Sequence, residues 1–121
     1  MKDEGGGLED LRGRTKRFGL AAVVLFVRLP RSAVTDVLGK QMLRSATSVG
    51  AHYREGSRAR SNAEFISKLE VALQELDETT YWLELLIESG TCARPEAASL
   101  LAESDELIRI LVSIVRKRKD C

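Results

Sequence analysis

Apolar residues recur at helical spacing along nearly the whole chain, and this constrains the fold more than any other feature of the sequence. At 100° per residue, Leu38, Met42, Ala46, Val49, Tyr53 and Gly56 share one arc of a helix. Phe65, Leu69, Ala72, Leu76, Thr80, Leu83 and Ile87 form a second stripe, and Leu100, Leu101, Ser104, Leu107, Leu111, Ile114 and Val115 a third. No stretch alternates apolar and polar residues as a half-buried strand does. The breaks between periodic segments fall on residues suited to ending or starting helices. Pro30 lacks an N–H and disfavours helix at Leu29. Ser61 and Glu64 are spaced as a capping box. Gly90 suits the left-handed position after a helix, and Pro95 suits the first turn of the next. Four helices are expected over residues 9–29, 33–59, 62–89 and 95–118, after a tail of residues 1–8 that includes Gly5, Gly6 and Gly7. Short connections between long helices make an all-α, antiparallel up-down-up-down four-helix bundle the economical arrangement. At 121 residues this is a single domain.

The charges are segregated along the chain, although the formal net charge is only +1. Residues 12–31 hold six bases and no acid, and residues 40–60 hold five bases against Glu55. Residues 61–106 hold Lys68 and Arg94 against eleven acids, and residues 107–121 return to five bases against Asp120. On the second helix Lys40, Arg44, Arg54 and Arg58 fall on one face, opposite its apolar arc, with Thr47 and Ala51 between them. Four aligned cations repel unless an anionic partner sits among them. The first reading is therefore a polyanion groove in which they meet successive phosphates of RNA or DNA, assisted by Arg12, Arg14, Lys16, Arg17 and the tail at 116–119. No aromatic residue is interleaved on this face, so base stacking is not expected. The alternative is ion pairing, within or between subunits, with an acidic face of helix three where Glu70, Asp77 and Glu84 recur every seven residues.

Apolar residues also extend beyond one stripe. Residues 18–27 are apolar nearly all round, and helix three carries Ile66, Val71, Leu73, Tyr81, Trp82 and Leu85 outside its core arc. Exposed apolar patches mark interfaces, which predicts a homo-oligomer. Lys68, Glu75, Glu78, Tyr81 and Trp82 are the expected interface residues. The apolar run of ten is too short for a bilayer, which needs about 20 residues. A cytoplasmic chain with reduced thiols is expected.

Catalytic and metal sites are not expected. His52 has Val49 three residues before it, so the Glu-x-x-His pair of carboxylate-bridged di-iron bundles is missing. His52, Cys92 and Cys121 cannot supply a closed zinc set. Gly39-Lys40-Gln41 lacks the rest of a phosphate loop. No cofactor or small-molecule substrate is implied.

The segment LGKQMLRSATSVGAHYRE at 38–55, Arg60-Ser61 with Glu64-Phe65-Ile66 and Lys68-Leu69, and Glu75 with Glu78-Thr79 and Tyr81-Trp82-Leu83-Glu84-Leu85-Leu86 resemble the 23S rRNA intervening-sequence proteins, a bacterial four-helix-bundle family. His52 stands where that family usually has Asn, and Leu76 where a small residue is common. The resemblance implies a left-handed bundle assembled as a homopentamer around a central channel, with nucleic acid as partner. A distant relative of similar architecture, the accessory protein of diversity-generating retroelements, binds nucleic acid and a reverse transcriptase. Neither resemblance brings catalytic residues.

Overall fold

The structure, a computed structural model, describes residues 8–120. The expected tail at 1–8 lies outside the described residues except for Leu8, the first residue of α1. Four helices follow: α1 Leu8–Arg28, α2 Lys40–Ser57, α3 Asn62–Glu88 and α4 Arg94–Lys119. The described residues contain no strand.

Local chemistry sets each boundary. Past α1, the Thr35 hydroxyl donates to the Pro30 carbonyl at 2.6 Å, and the Thr35 N–H donates to the Ser32 hydroxyl at 3.1 Å. The expected unbroken helix from 33 is instead widened into a π-helical turn over Thr35–Gly39 that runs on into α2. The wide turn seats Gly39 against Phe26, where a Cβ would lie 3.1 Å from the ring, and this tertiary contact leaves no trace in the periodicity. At the start of α3, the Glu64 N–H donates to the Ser61 hydroxyl at 3.1 Å. The Glu64 carboxylate accepts from the Arg60 N–H at 3.4 Å, one residue earlier than in the usual box. Gly90 adopts φ +79°, and the Thr91 and Cys92 N–H groups turn back to the Leu86 carbonyl, both at 3.0 Å.

The contacts place neighbouring helices antiparallel. Gly19 lies against Thr47 and Gly50 against Thr15, so numbers rise on α1 as they fall on α2. Ser45 meets Thr79 while Glu55 meets Lys68, which sets the same relation for α2 and α3. Thr80 meets Ser104 while Asn62 meets Arg118, which sets it for α3 and α4. Arg14 closes α1 onto α4 through Glu103. Phe18, Met42, Val49, Tyr53, Leu69, Leu76, Leu83, Leu107 and Leu111 fill the interior. Leu76 is fully buried, so the bundle accommodates the larger residue. On α3 the buried set includes Thr79 and Leu86, whereas Thr80 and Ile87 are half-buried. The arc is wide because α3 packs on both α2 and α4. The buried hydroxyls are satisfied: Ser45 and Thr79 share a hydrogen bond of 2.8 Å, and Thr79 donates to the Glu75 carbonyl at 2.7 Å.

Candidate nucleic-acid interface

The antiparallel arrangement decides which cations become neighbours. The first turns of α1, the last turn of α2 with the loop after it, and the last turn of α4 all lie at one end of the bundle. Arg12 comes from the first, Arg54, Arg58 and Arg60 from the second, and Arg116, Arg118 and Lys119 from the third. Lys16 and Arg17 lie further along α1, Lys16 in a hollow with Gly50 and Arg54 and Arg17 in one with Ser99 and Glu103. Lys40, at the other end of α2, is roughly 27 Å away along the helix.

Several of these cations have no carboxylate partner. Arg12, Lys16, Arg17, Arg54, Arg58, Arg60, Arg116 and Arg118 make no ion pair among the described residues. Arg118 is nonetheless held in place. Its guanidinium lies 3.9 Å over the Phe65 ring and donates to the Asn62 side-chain oxygen at 3.1 Å. The Asn62 amide donates back to the Arg118 carbonyl at 2.8 Å. Arg118, Asn62, Phe65, Arg60 and Ser61 line a hollow of about 270 Å³ at the turn between α2 and α3. A fixed guanidinium without a carboxylate leaves donors free for an anionic group.

Other expected phosphate ligands are already occupied. Arg44 lies 3.1 Å from Glu78 and 3.6 Å from Glu75, and also donates to Gln41. Arg14 is bidentate on Glu103 at 2.6 and 3.0 Å, an arrangement that raises its pKa through the hydrogen bonds to that carboxylate. The continuous face expected on helix two is therefore interrupted at Arg44, because α3 brings two carboxylates to its edge.

The family model for the 23S rRNA-intervening sequence protein matches residues 9–113. The chain belongs to that family. A crystal structure of a protein of unknown function from the S23 ribosomal protein family of Bacteroides thetaiotaomicron superposes with a TM-score of 0.84 at 38% identity, covering 90% of this chain and 97% of that one. No curated protein matches the chain.

In this member of the 23S rRNA-intervening sequence family the expected subunit-contact residues divide. Glu75 and Glu78 face Arg44 of their own chain, and Lys68 reaches Glu55 at 3.2 Å. That contact with Lys68, with help from His52, lowers the Glu55 pKa. Trp82 is half-buried against the core, edge-on to Tyr81 at 5.2 Å between ring centroids. Tyr81 itself is exposed. His52 sits between Glu55 at 3.3 Å and Glu75 at 3.8 Å, half-buried at the edge of the α2–α3 seam. Arg60 and Asn62 carried no functional reading from sequence. Arg60 follows Arg58 closely enough to have suggested a cluster, whereas the role of Asn62 depends on α4 lying alongside it. Among the described residues no group of His, Cys, Asp or Glu is placed to hold a metal, and no helix is long and apolar enough to cross a membrane.

Proposed function

We propose that this chain is a non-enzymatic, RNA-associated nucleic-acid-binding protein of the cytoplasm. Its protomer is an up-down-up-down bundle, and its working form is a homopentamer. The observation that carries the reading is the convergence at one end of the bundle of unpaired cations from α1, α2 and α4. Their mutual repulsion is relieved by a polyanion. Arg12, Arg54, Arg58, Arg60 and Arg116 engage phosphates at the end marked by the anchored Arg118, and Lys16 and Lys40 contribute only to a strand long enough to run along α2. Contacts of this kind position a strand without reading its bases, so sequence preference is weak. A homopentamer repeats the site five times, and modest affinity per site then gives tight overall binding.

The test is fluorescence anisotropy with labelled single-stranded RNA and with duplex DNA at several salt concentrations. Log affinity is expected to fall linearly with log salt, with a slope of about 0.7–0.9 per phosphate neutralised. Arg60→Glu with Arg116→Glu is expected to weaken binding at least tenfold and to reduce that slope, with the oligomer unchanged. Absence of salt-sensitive binding to either nucleic acid overturns the reading. The second reading is a structural or adaptor homo-oligomer that binds a protein partner, with the charged faces serving subunit assembly; the engagement of Arg44 with Glu75 and Glu78 supports it only by withdrawing Arg44 from phosphate binding. It predicts salt-sensitive assembly and no nucleic-acid binding.

A further inference from the structure

The hollow at the α2–α3 turn is lined by hydrogen-bond donors and by no carboxylate. Arg60 and Arg118 are its only charged lining, with Ser61 and Asn62 beside them. Other hollows on the described surface differ. The one between α1 and α2 is lined mostly by small and apolar residues, and the one between α1 and α4 includes Glu103, already bound to Arg14.

The donors at the turn are only partly engaged. Arg118 spends Nη1 on the Asn62 oxygen at 3.1 Å, and its Nε and Nη2 make no hydrogen bond among the described residues. The Ser61 oxygen accepts from the Glu64 N–H at 3.1 Å, and its own hydrogen has no acceptor among the described residues. The Arg60 backbone N–H is held by Glu64 at 3.4 Å, whereas its guanidinium makes no ion pair among the described residues. Arg118 is also fixed in place. The Phe65 ring lies 3.9 Å from its guanidinium, and the Asn62 amide donates to its carbonyl at 2.8 Å. A planar donor fixed before its ligand arrives loses less side-chain entropy on binding.

Size and charge decide what such a hollow can hold. Its volume of about 270 Å³ falls under the range of about 300–1,000 Å³ usual for small-molecule pockets, so it suits one charged group rather than a whole nucleoside. A phosphate monoester near pH 7 carries a charge of about −1.5 to −2 and three free oxygens. A phosphate inside a strand carries a single charge, and the backbone ties up two of its oxygens. Two guanidiniums and a hydroxyl match the monoester in both charge and donor groups. We propose that this hollow takes the terminal phosphate of an RNA strand, with Arg118, Arg60 and Ser61 donating to its oxygens. Asn62 is a positioning residue that acts through Arg118. The inference rests on the nucleic-acid reading above and deepens it, since the strand is held by its end and Arg58 and Arg116 meet the phosphates that follow.

The experiment is fluorescence anisotropy of the full chain with three RNA strands of one sequence, labelled internally. One carries a 5′-phosphate, one a 3′-phosphate and one hydroxyls at both ends. One phosphorylated strand is expected to bind about tenfold more tightly than the hydroxyl strand, as new charge-assisted hydrogen bonds would give. Which one it is identifies the end. Asn62→Ala and Arg118→Lys are each expected to bring that preference within about twofold, with helicity by circular dichroism retained, because lysine keeps the charge and loses the fork. Arg116→Glu, outside the hollow, is expected to weaken all three strands alike and keep the preference. An equal gain for both phosphorylated strands is the effect of added charge alone and overturns the proposal. A preference that survives in Asn62→Ala or Arg118→Lys also overturns it. Calorimetry with 5′-AMP covers a free nucleotide as the source: AMP binding without any end preference overturns the RNA end. Three strands that bind equally overturn this inference alone, whereas no binding of any strand overturns the nucleic-acid reading with it.

Discussion

Gly56→Ala sets two effects of known size against each other. Replacing a helical glycine with alanine removes backbone freedom from the unfolded chain and favours the helix by about 0.5–1 kcal/mol in a helix interior, an upper bound for Gly56 in the last turn of α2. Packing opposes it. A Cβ at position 56 would lie 2.8 Å from the Leu69 Cδ1, 3.2 Å from the Lys68 Cβ and 3.6 Å from the Phe65 carbonyl oxygen. Carbon atoms pack at roughly 3.5–4 Å, so Leu69 would have to move by most of an ångström. Leu69 is fully buried, so any shift of its side chain is passed on to its neighbours in the core. Overpacking of this kind costs about 1–3 kcal/mol, so the net change is a loss of about 1–2 kcal/mol. For a chain of this length that lowers Tm by about 3–10 °C. Gly19→Ala is the internal control. Its Cβ meets Thr47 at 3.6 and 3.7 Å and the Ala46 carbonyl at 3.9 Å, ordinary contact distances, so only the favourable effect remains. Thermal and urea unfolding should be followed at one fixed protein concentration, because self-association would otherwise shift the midpoint. A Gly56→Ala chain as stable as wild type, or one that moves in the same direction as Gly19→Ala, refutes the close approach of α2 and α3.

Burial of the Tyr53 ring pushes its phenol up to about 12, against the attraction of nearby Arg118. Its neutral form is the one the fold favours, so its contribution to stability is complete below the unfolded value near 10 and is lost as pH rises from there through 12. That loss is roughly 3 kcal/mol, and Tyr53→Phe should flatten this part of the urea-unfolding profile; identical alkaline slopes for the two chains refute it. The Cys92 thiol is also pushed up, by burial and then by the Glu96 carboxylate. In a Cys121→Ser chain, an aromatic disulfide reagent should therefore modify Cys92 only as fast as the bundle opens, whereas rapid modification under native conditions refutes its burial.

The sequence carried the all-α class and the segment ends with little loss. Pro30, the Ser61–Glu64 box, Gly90 and Pro95 act within a few residues of themselves, so their effect is legible without knowing what packs nearby. The apolar stripes were legible for the same reason: a helix presents one face every 3.6 residues whatever its partner. The π turn over Thr35–Gly39 was not legible, because it serves the approach of Gly39 to Phe26, a residue on another helix.

For the candidate site the division is sharper. Composition and spacing determined that the chain has basic runs at 12–17, 54–60 and 116–119 and an acidic third helix, since charge belongs to residue identity alone. Only the tertiary structure decided which charges confront each other. It paired Arg44 with Glu75 and Glu78, Arg14 with Glu103 and Lys119 with Glu70, left Lys40 at the far end of α2, and set Arg60 in one hollow with the anchored Arg118. An ion pair needs two side chains within about 4 Å, and residues separated by 34 or 89 positions reach that distance only when helix order and register are fixed.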